Sequence, residues 1–168
     1  MRFGGGRGSV ALLLLAAVVL LRPWESWDAL GQTEPRSASV TVTRVVDGDT
    51  VEVELEGETE DVRYIGVDTP ETVKPEEPVD CFGPQASAFN HRLVEGRRVR
   101  LVFGVERRDQ YGRLLAYVHL GNRFVNEILL RRGLARTLTI PPNDRYAERF
   151  KQLEIAASRA GRGLWGAC

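Results

Sequence analysis

Branched apolar residues at alternating positions mark the first half of this chain as strand-rich. Val40, Val42, Val45 and Val46 predict a first strand that stops at the Asp47-Gly48 turn. Residues 50–55 alternate Val51, Val53 and Leu55 against Glu52 and Glu54, and Gly57 marks the turn that follows. The run Glu52, Glu54, Glu56, Glu58, Glu60 then falls on the solvated side of a hairpin whose valines face inward. A third strand over residues 61–67 is apolar enough to be buried, yet it carries Arg63, which would be costly without partners. Pro70, Pro75 and Pro78 make residues 68–82 a loop. A helix is expected over 84–95, with Ala86, Ala88, Phe89 and Leu93 on its buried face. Strands follow at 98–103 and 114–120, and a short helix at 125–132 is stopped by Gly133. Residues 134–139 are extended, Pro141-Pro142 breaks them, and a last helix spans 145–159. Five strands with about three helices make an α+β, mainly β protein, and the pattern fits an OB-type β-barrel.

The N-terminus follows another pattern. Arg2 and Arg7 precede an unbroken apolar run, residues 10–21, and Ala29-Leu30-Gly31 offers small residues for cleavage. Residues 1–31 read as a signal peptide, 32–38 as a linker and 39–168 as the folded domain. The alternative is an uncleaved signal anchor with Trp24 and Trp27 at the membrane interface. Either way the domain is expected outside the cytoplasm, secreted or tethered. In that setting an even pair of cysteines, Cys81 and Cys168, favours a disulfide over two thiols.

A formal net charge of zero conceals an asymmetry. Residues 32–80 hold four Lys or Arg against fourteen Asp or Glu, whereas residues 81–168 hold sixteen against seven. An acidic half that could hold a metal thus adjoins a basic half that could hold a polyanion. The cations are 21 Arg to 2 Lys, a bias that suits phosphate contacts. His91 and His119 have no His or Cys partner at metal-ligand spacing.

The chemistry concentrates at Asp47-Gly48-Asp49-Thr50, Arg63 and Asp68-Thr69-Pro70-Glu71. Carboxylates at that density repel one another unless a hard cation sits among them. A planar guanidinium beside such a cation suits a phosphodiester. Each piece also has a plainer reading: the aspartates as turn formers, Arg63 as a structural ion pair with Asp68, Glu71 as a cap, Arg113 as one surface arginine among many.

In order along the chain these motifs continue with Gly83-Pro84-Gln85-Ala86-Ser87-Ala88-Phe89, Asp109-Gln110-Tyr111-Gly112-Arg113, Tyr117, Val125-Asn126-Glu127 and Leu164-Trp165. The series closely resembles the staphylococcal nuclease (thermonuclease) family over roughly residues 38–168. The resemblance implies an OB barrel bearing a Ca²⁺-dependent phosphodiesterase of low sequence specificity, acting on DNA and RNA and leaving 3′-phosphates. It implies Asp49 and Asp68 as carboxylate ligands of Ca²⁺, Thr69 as a carbonyl ligand and Asp47 behind them. Glu71 would be the general base, Arg63 and Arg113 the phosphate-binding arginines, and Tyr111 and Tyr117 part of the substrate pocket. A monomer with no stable protein partner is expected. The competing class is a non-catalytic OB-fold module that binds nucleic acid, and the intact acid and arginine set argues against it. One departure stands out: residues 137–143 carry no aromatic where the family commonly has a tyrosine pair.

Overall fold

In the computed structural model, residues 37–72 and 80–168 are described, and the expected signal segment lies outside them. The strands are β1 (Ser37–Val45), β2 (Thr50–Leu55), β3 (Glu58–Tyr64), β4 (Gly66–Asp68), β5 (Arg98–Arg108), β6 (Leu114–Leu120), β7 (Arg123–Phe124) and β8 (Arg136–Leu138). The helices are α1 (Gly83–Val94), α2 (Val125–Arg131), α3 (Ala147–Arg159) and the single turn α4 (Leu164–Ala167). The main sheet runs β3-β2-β1-β5-β6-β7, and a parallel pairing of β3 with β6 closes its first five strands into a barrel. This is the expected OB-type barrel with helices around it. Among the described residues no helix is long and apolar enough to cross a membrane.

The alternation read from sequence determines the core. Val40, Val42, Val51, Val53 and Val62 are buried, while Glu54, Glu56 and Glu58 are exposed. Glu52 reaches Arg44 on neighbouring β1, and Glu60 reaches Arg108 at the end of β5. Such exposed pairs are screened by solvent and contribute little to stability. Tyr117, Phe124, Tyr146 and Phe150 form an aromatic cluster between β6 and α3, packed mostly edge to face.

Four features differ from the sequence reading. Ser37 and Ala38, expected in the linker, already pair with β5. The third strand is broken: Gly66 sits at φ 79°, and a Cβ there would lie 2.6 Å from the Phe150 ring. The chain therefore leaves the barrel at Gly66 and forms β4, which pairs with β8 in a separate two-stranded sheet. β5 runs on to Arg108 through an irregularity after Phe103, because its charged end can stay in the ladder while its side chains face water. On α1 the buried face is Ala86, Asn90, Leu93 and Val94, and Ala88 is exposed.

Two buried asparagines join the helices to the barrel near the acidic motifs. Asn90 donates to the Asp47 carbonyl at 3.2 Å and accepts from the Tyr64 hydroxyl at 3.3 Å. Asn126 accepts from the Val118 N–H at 2.9 Å and donates to the Ile65 carbonyl at 2.8 Å. On β8, Thr137 donates through its N–H and hydroxyl to Glu154 of α3. Burial opposes the charge on Glu154, but Lys151 and Thr137 more than offset this and hold its carboxyl below the usual range.

Candidate active site

Asp49 is the centre of the site. It lies immediately before β2 with only 4% of its surface exposed. The Asp47 carboxylate accepts the Asp49 N–H at 2.9 Å, an Asx-type contact that shapes the turn. Gly48 is required there by close approach: a Cβ would come within 2.6–2.7 Å of three side-chain atoms of Thr69. Thr69 in turn donates to Asp49 Oδ2 from its N–H at 2.6 Å and its hydroxyl at 2.9 Å. Gly48→Ala should push Thr69 off Asp49 and lower thermal stability by about 1–3 kcal/mol. Calorimetry checks this; an unchanged Tm would show that the loop gives way freely.

Arg63 joins the acids. It leaves β3 opposite Thr50 of β2 and places Nε 3.2 Å from Asp49 Oδ1 and Nη2 2.8 Å from Asp68 Oδ1. Its Nη1 donates to the carbonyls of Tyr64 at 2.9 Å and Val67 at 2.6 Å. Among the described residues these contacts take three of the five guanidinium N–H groups as hydrogen bonds, with Nε in an ion pair with Asp49. The break at Gly66 makes this arrangement possible, because it brings β4 and Asp68 back across the arginine. Burial pushes the Asp49 carboxyl well above the ordinary carboxylate range, Arg63 pulls it down, Asp47 adds to the rise and Thr69 opposes it.

The cleft around these groups measures about 860 Å³. Asp47, Asp49, Arg63, Asp68, Thr69, Glu71, Tyr111 and Arg113 all line it. Arg113 closes the turn between β5 and β6, where Asp109 accepts its backbone N–H at 3.0 Å and its Nε at 2.7 Å. The Arg113 guanidinium lies 5.4 Å from the Tyr111 ring centroid, and that ring is 75% exposed. Glu71 takes its place from the loop after β4: its N–H donates to Asp80 Oδ2 and its own carboxylate accepts the Thr72 N–H, each at 3.0 Å.

Tyr117 requires a correction. It was expected to shape the substrate pocket, but it does not line the cleft and is only 3% exposed. Tyr146 and Phe150 lie against it, with ring centroids 4.8 and 6.3 Å away, so its side chain belongs to the core. Its hydroxyl donates to the Asn143 carbonyl at 3.4 Å, supporting a cleft residue from behind. Where the tyrosine pair is missing, Leu138 and Ile140 line the cleft and are 40% and 59% exposed. His91 faces solvent beside Glu95, and His119 stacks on Phe124.

The sequence reading missed three supporting residues. Asp109 holds Arg113, and an Asp three residues before Gly112 is a turn signal that could have marked it. Asn90 holds the Asp47 loop, and a polar residue on the apolar stripe of α1 was its sign. Asp80 holds Glu71, and nothing in its own neighbourhood distinguishes it from other loop acids. Cys81 and Cys168 form a disulfide with Cα atoms 6.0 Å apart.

Comparison with known proteins agrees with this geometry. Residues 61–167 match the family described as staphylococcal nuclease homologue. Thermonuclease of Staphylococcus intermedius is 42% identical over 159 residues, covering 93% of this chain and 95% of that protein. Thermonuclease of Staphylococcus hyicus is 38% identical over 156 residues, 93% of this chain and 92% of that one. The SPbeta prophage-derived endonuclease YokF of Bacillus subtilis is 44% identical over 128 residues, 75% of this chain but 43% of that protein. The barrel, the order of the motifs and these full-length similarities together place the chain in the staphylococcal nuclease family.

Proposed function

We propose that this protein is an exported, Ca²⁺-dependent nuclease that hydrolyses phosphodiester bonds of DNA and RNA with low sequence specificity. The observation that carries the reading is Arg63, held between Asp49 and Asp68 in a cleft that Glu71 and Arg113 also line. The thermonuclease and endonuclease relatives support the same reaction.

The donors fit a hard divalent ion. They are all oxygen: the carboxylates of Asp49 and Asp68 and the Thr69 carbonyl, with Asp47 behind. Among the described residues no three His, Cys, Asp or Glu side chains converge as a metal cage. An ion held by two carboxylates fills its remaining positions from carbonyl oxygen and water, which Ca²⁺ accepts at its flexible coordination. Arg63 and Thr69 bring the Asp49 and Asp68 carboxylates to one side of the cleft, an all-oxygen set of the kind such an ion takes. When bound, Ca²⁺ polarises a phosphoryl oxygen and offsets charge on the substrate.

The chain's own residues supply the rest. Arg63 offers its spare Nη2 proton to a non-bridging phosphate oxygen while its other donors hold both aspartates still. Arg113, whose Nε and Nη2 are held by Asp109, turns its remaining guanidinium edge to the cleft, and charge developing on the equatorial oxygens is stabilised by both arginines. Glu71 accepts a proton from the attacking water. The water oxygen bonds to phosphorus as the bond to the 5′ oxygen breaks, giving a 3′-phosphate and a 5′-hydroxyl that takes its proton from solvent. Tyr111 presents an aromatic face to a base, whereas Leu138 and Ile140 present only apolar contact, which favours tolerance over base selection.

Single-stranded DNA should be digested in Ca²⁺ and left intact in EGTA. Equal digestion in both, or none in either by folded protein, would overturn the proposal. Export rests on residues 1–31, and a mature N-terminus at or near Gln32 is its expected mark.

A further inference from the structure

Glu71 is held from a direction the reaction itself does not explain. Its N–H donates to Asp80 Oδ2 and its carbonyl accepts the Asp80 N–H, both at 3.0 Å. The Asp80 carbonyl accepts the Gly83 N–H at 3.0 Å at the start of α1. Gly83 packs so closely that a Cβ would lie 2.8 Å from the Glu71 carbonyl and 3.0 Å from that of Pro70. The backbone of Glu71 is thus clasped by Asp80 and seated on the first turn of α1.

The next residue, Cys81, carries the disulfide to Cys168. Cys168 ends α4, and α4 is fixed to the turn before β8: the Leu164 N–H donates to the Gly133 carbonyl at 2.8 Å. A Cβ on Gly163 would lie 2.2 Å from that same carbonyl, so the two turns are in close contact. Three residues later β8 pairs with β4, with Arg136 opposite Asp68. A ring of contacts therefore runs from Glu71 through Asp80, the disulfide, α4 and β8 to Asp68. Glu71 and Asp68 are also joined directly along the chain, so the ring braces the base and a metal-binding carboxylate from both sides.

We propose that Asp80 is a positioning residue for Glu71 and that the Cys81–Cys168 disulfide holds it in place. This rests on the nuclease reading for its effect on turnover, but its structural part is independent of that reading. Displacing the base by about 1 Å lowers turnover on the order of 10²-fold, while phosphate binding by Arg63 and Arg113 is left alone. Asp80→Ala removes the acceptor for the Glu71 N–H; Asp80→Asn keeps an oxygen there.

The test uses the oxidised full-length mature protein with single-stranded DNA and Ca²⁺, and amide hydrogen exchange at Glu71 without metal or DNA. Asp80→Ala should lower kcat about tenfold to a hundredfold with KM unchanged, and Asp80→Asn should restore most of it. The Cys81→Ser, Cys168→Ser double variant should lower kcat in the same sense. In both Asp80→Ala and the double variant, the Glu71 amide should exchange faster. Unchanged exchange at Glu71 overturns the clasp whatever the activity. Faster exchange with unchanged kcat overturns the positioning role. A rise in KM equal to the fall in kcat/KM assigns Asp80 to substrate binding and also overturns it. An inactive wild-type protein with the expected exchange pattern refutes the nuclease reading and leaves the clasp standing.

Discussion

Replacing Glu71 by Gln lowers kcat on the order of 10²–10⁴-fold, the range lost with a general base, and leaves the fold and DNA binding intact. The substitution keeps the shape of the side chain and one acceptor oxygen for the Thr72 N–H. Glu71 is also only half-buried, at the margin of the cleft, and contributes nothing to the apolar core. What is lost is the carboxylate itself, with its charge and its capacity to accept a proton. Steady-state digestion of single-stranded DNA, with circular dichroism and fluorescence anisotropy on the same samples, separates these effects. Turnover within a few fold of wild type would remove Glu71 from the proton transfer and return the site to a binding role.

Arg63→Met carries the second large effect, and it falls on stability as well as rate. The thioether keeps much of the side-chain volume but removes the charge between Asp49 and Asp68. Asp49 is then left buried without its cation, a loss of about 3–5 kcal/mol when one partner of a buried pair is removed. Turnover should fall by at least on the order of 10²–10³, the cost of one lost donor to developing charge. Adding Asp49→Asn should recover stability, because the uncompensated charge is gone, without recovering activity. The coupling energy in the double-mutant cycle measures the pair. Lys is no substitute at this position, since one ammonium with three donors cannot reach two carboxylates and two carbonyls at once. Denaturant melts that show the single variant as stable as wild type would mean that water already solvates Asp49.

What the sequence made legible was local pattern. Alternating valines placed β1 and β2, and an arginine inside an apolar strand announced that acids must face it. The Asp-Gly-Asp turn and Asp68-Thr69-Pro70-Glu71 were brought together in one cleft with Arg113. What was not legible depended on distant packing. The glycine at the break is required by the close approach of Phe150, more than eighty residues away. Tyr117 shares a strand face with Leu115, which does line the cleft, but α3 covers the farther end of that face with Tyr146 and Phe150. Where the family's tyrosine pair is absent, the residues were known but not their exposure; Leu138 and Ile140 prove to face the cleft. Asp80 looked like one more acid in a charged loop, because a side chain that holds another residue's backbone leaves no periodic trace.

The departure of the chain from the barrel at Gly66 has a further consequence. Arg63 sits on a strand of the closed main sheet and Asp49 immediately before another, whereas Asp68 sits on a pair of three-residue strands outside it. Small elements of this kind open at a free-energy cost well below that of global unfolding. The acids are thus divided between a closed wall and a latch, which the contacts through α4 and the disulfide hold shut and whose release is the expected first local opening. An ion or nucleotide bound across the two would be felt first as protection of the latch. Loss of activity on heating would then mark the opening of β4 and β8, at a temperature where the barrel remains folded.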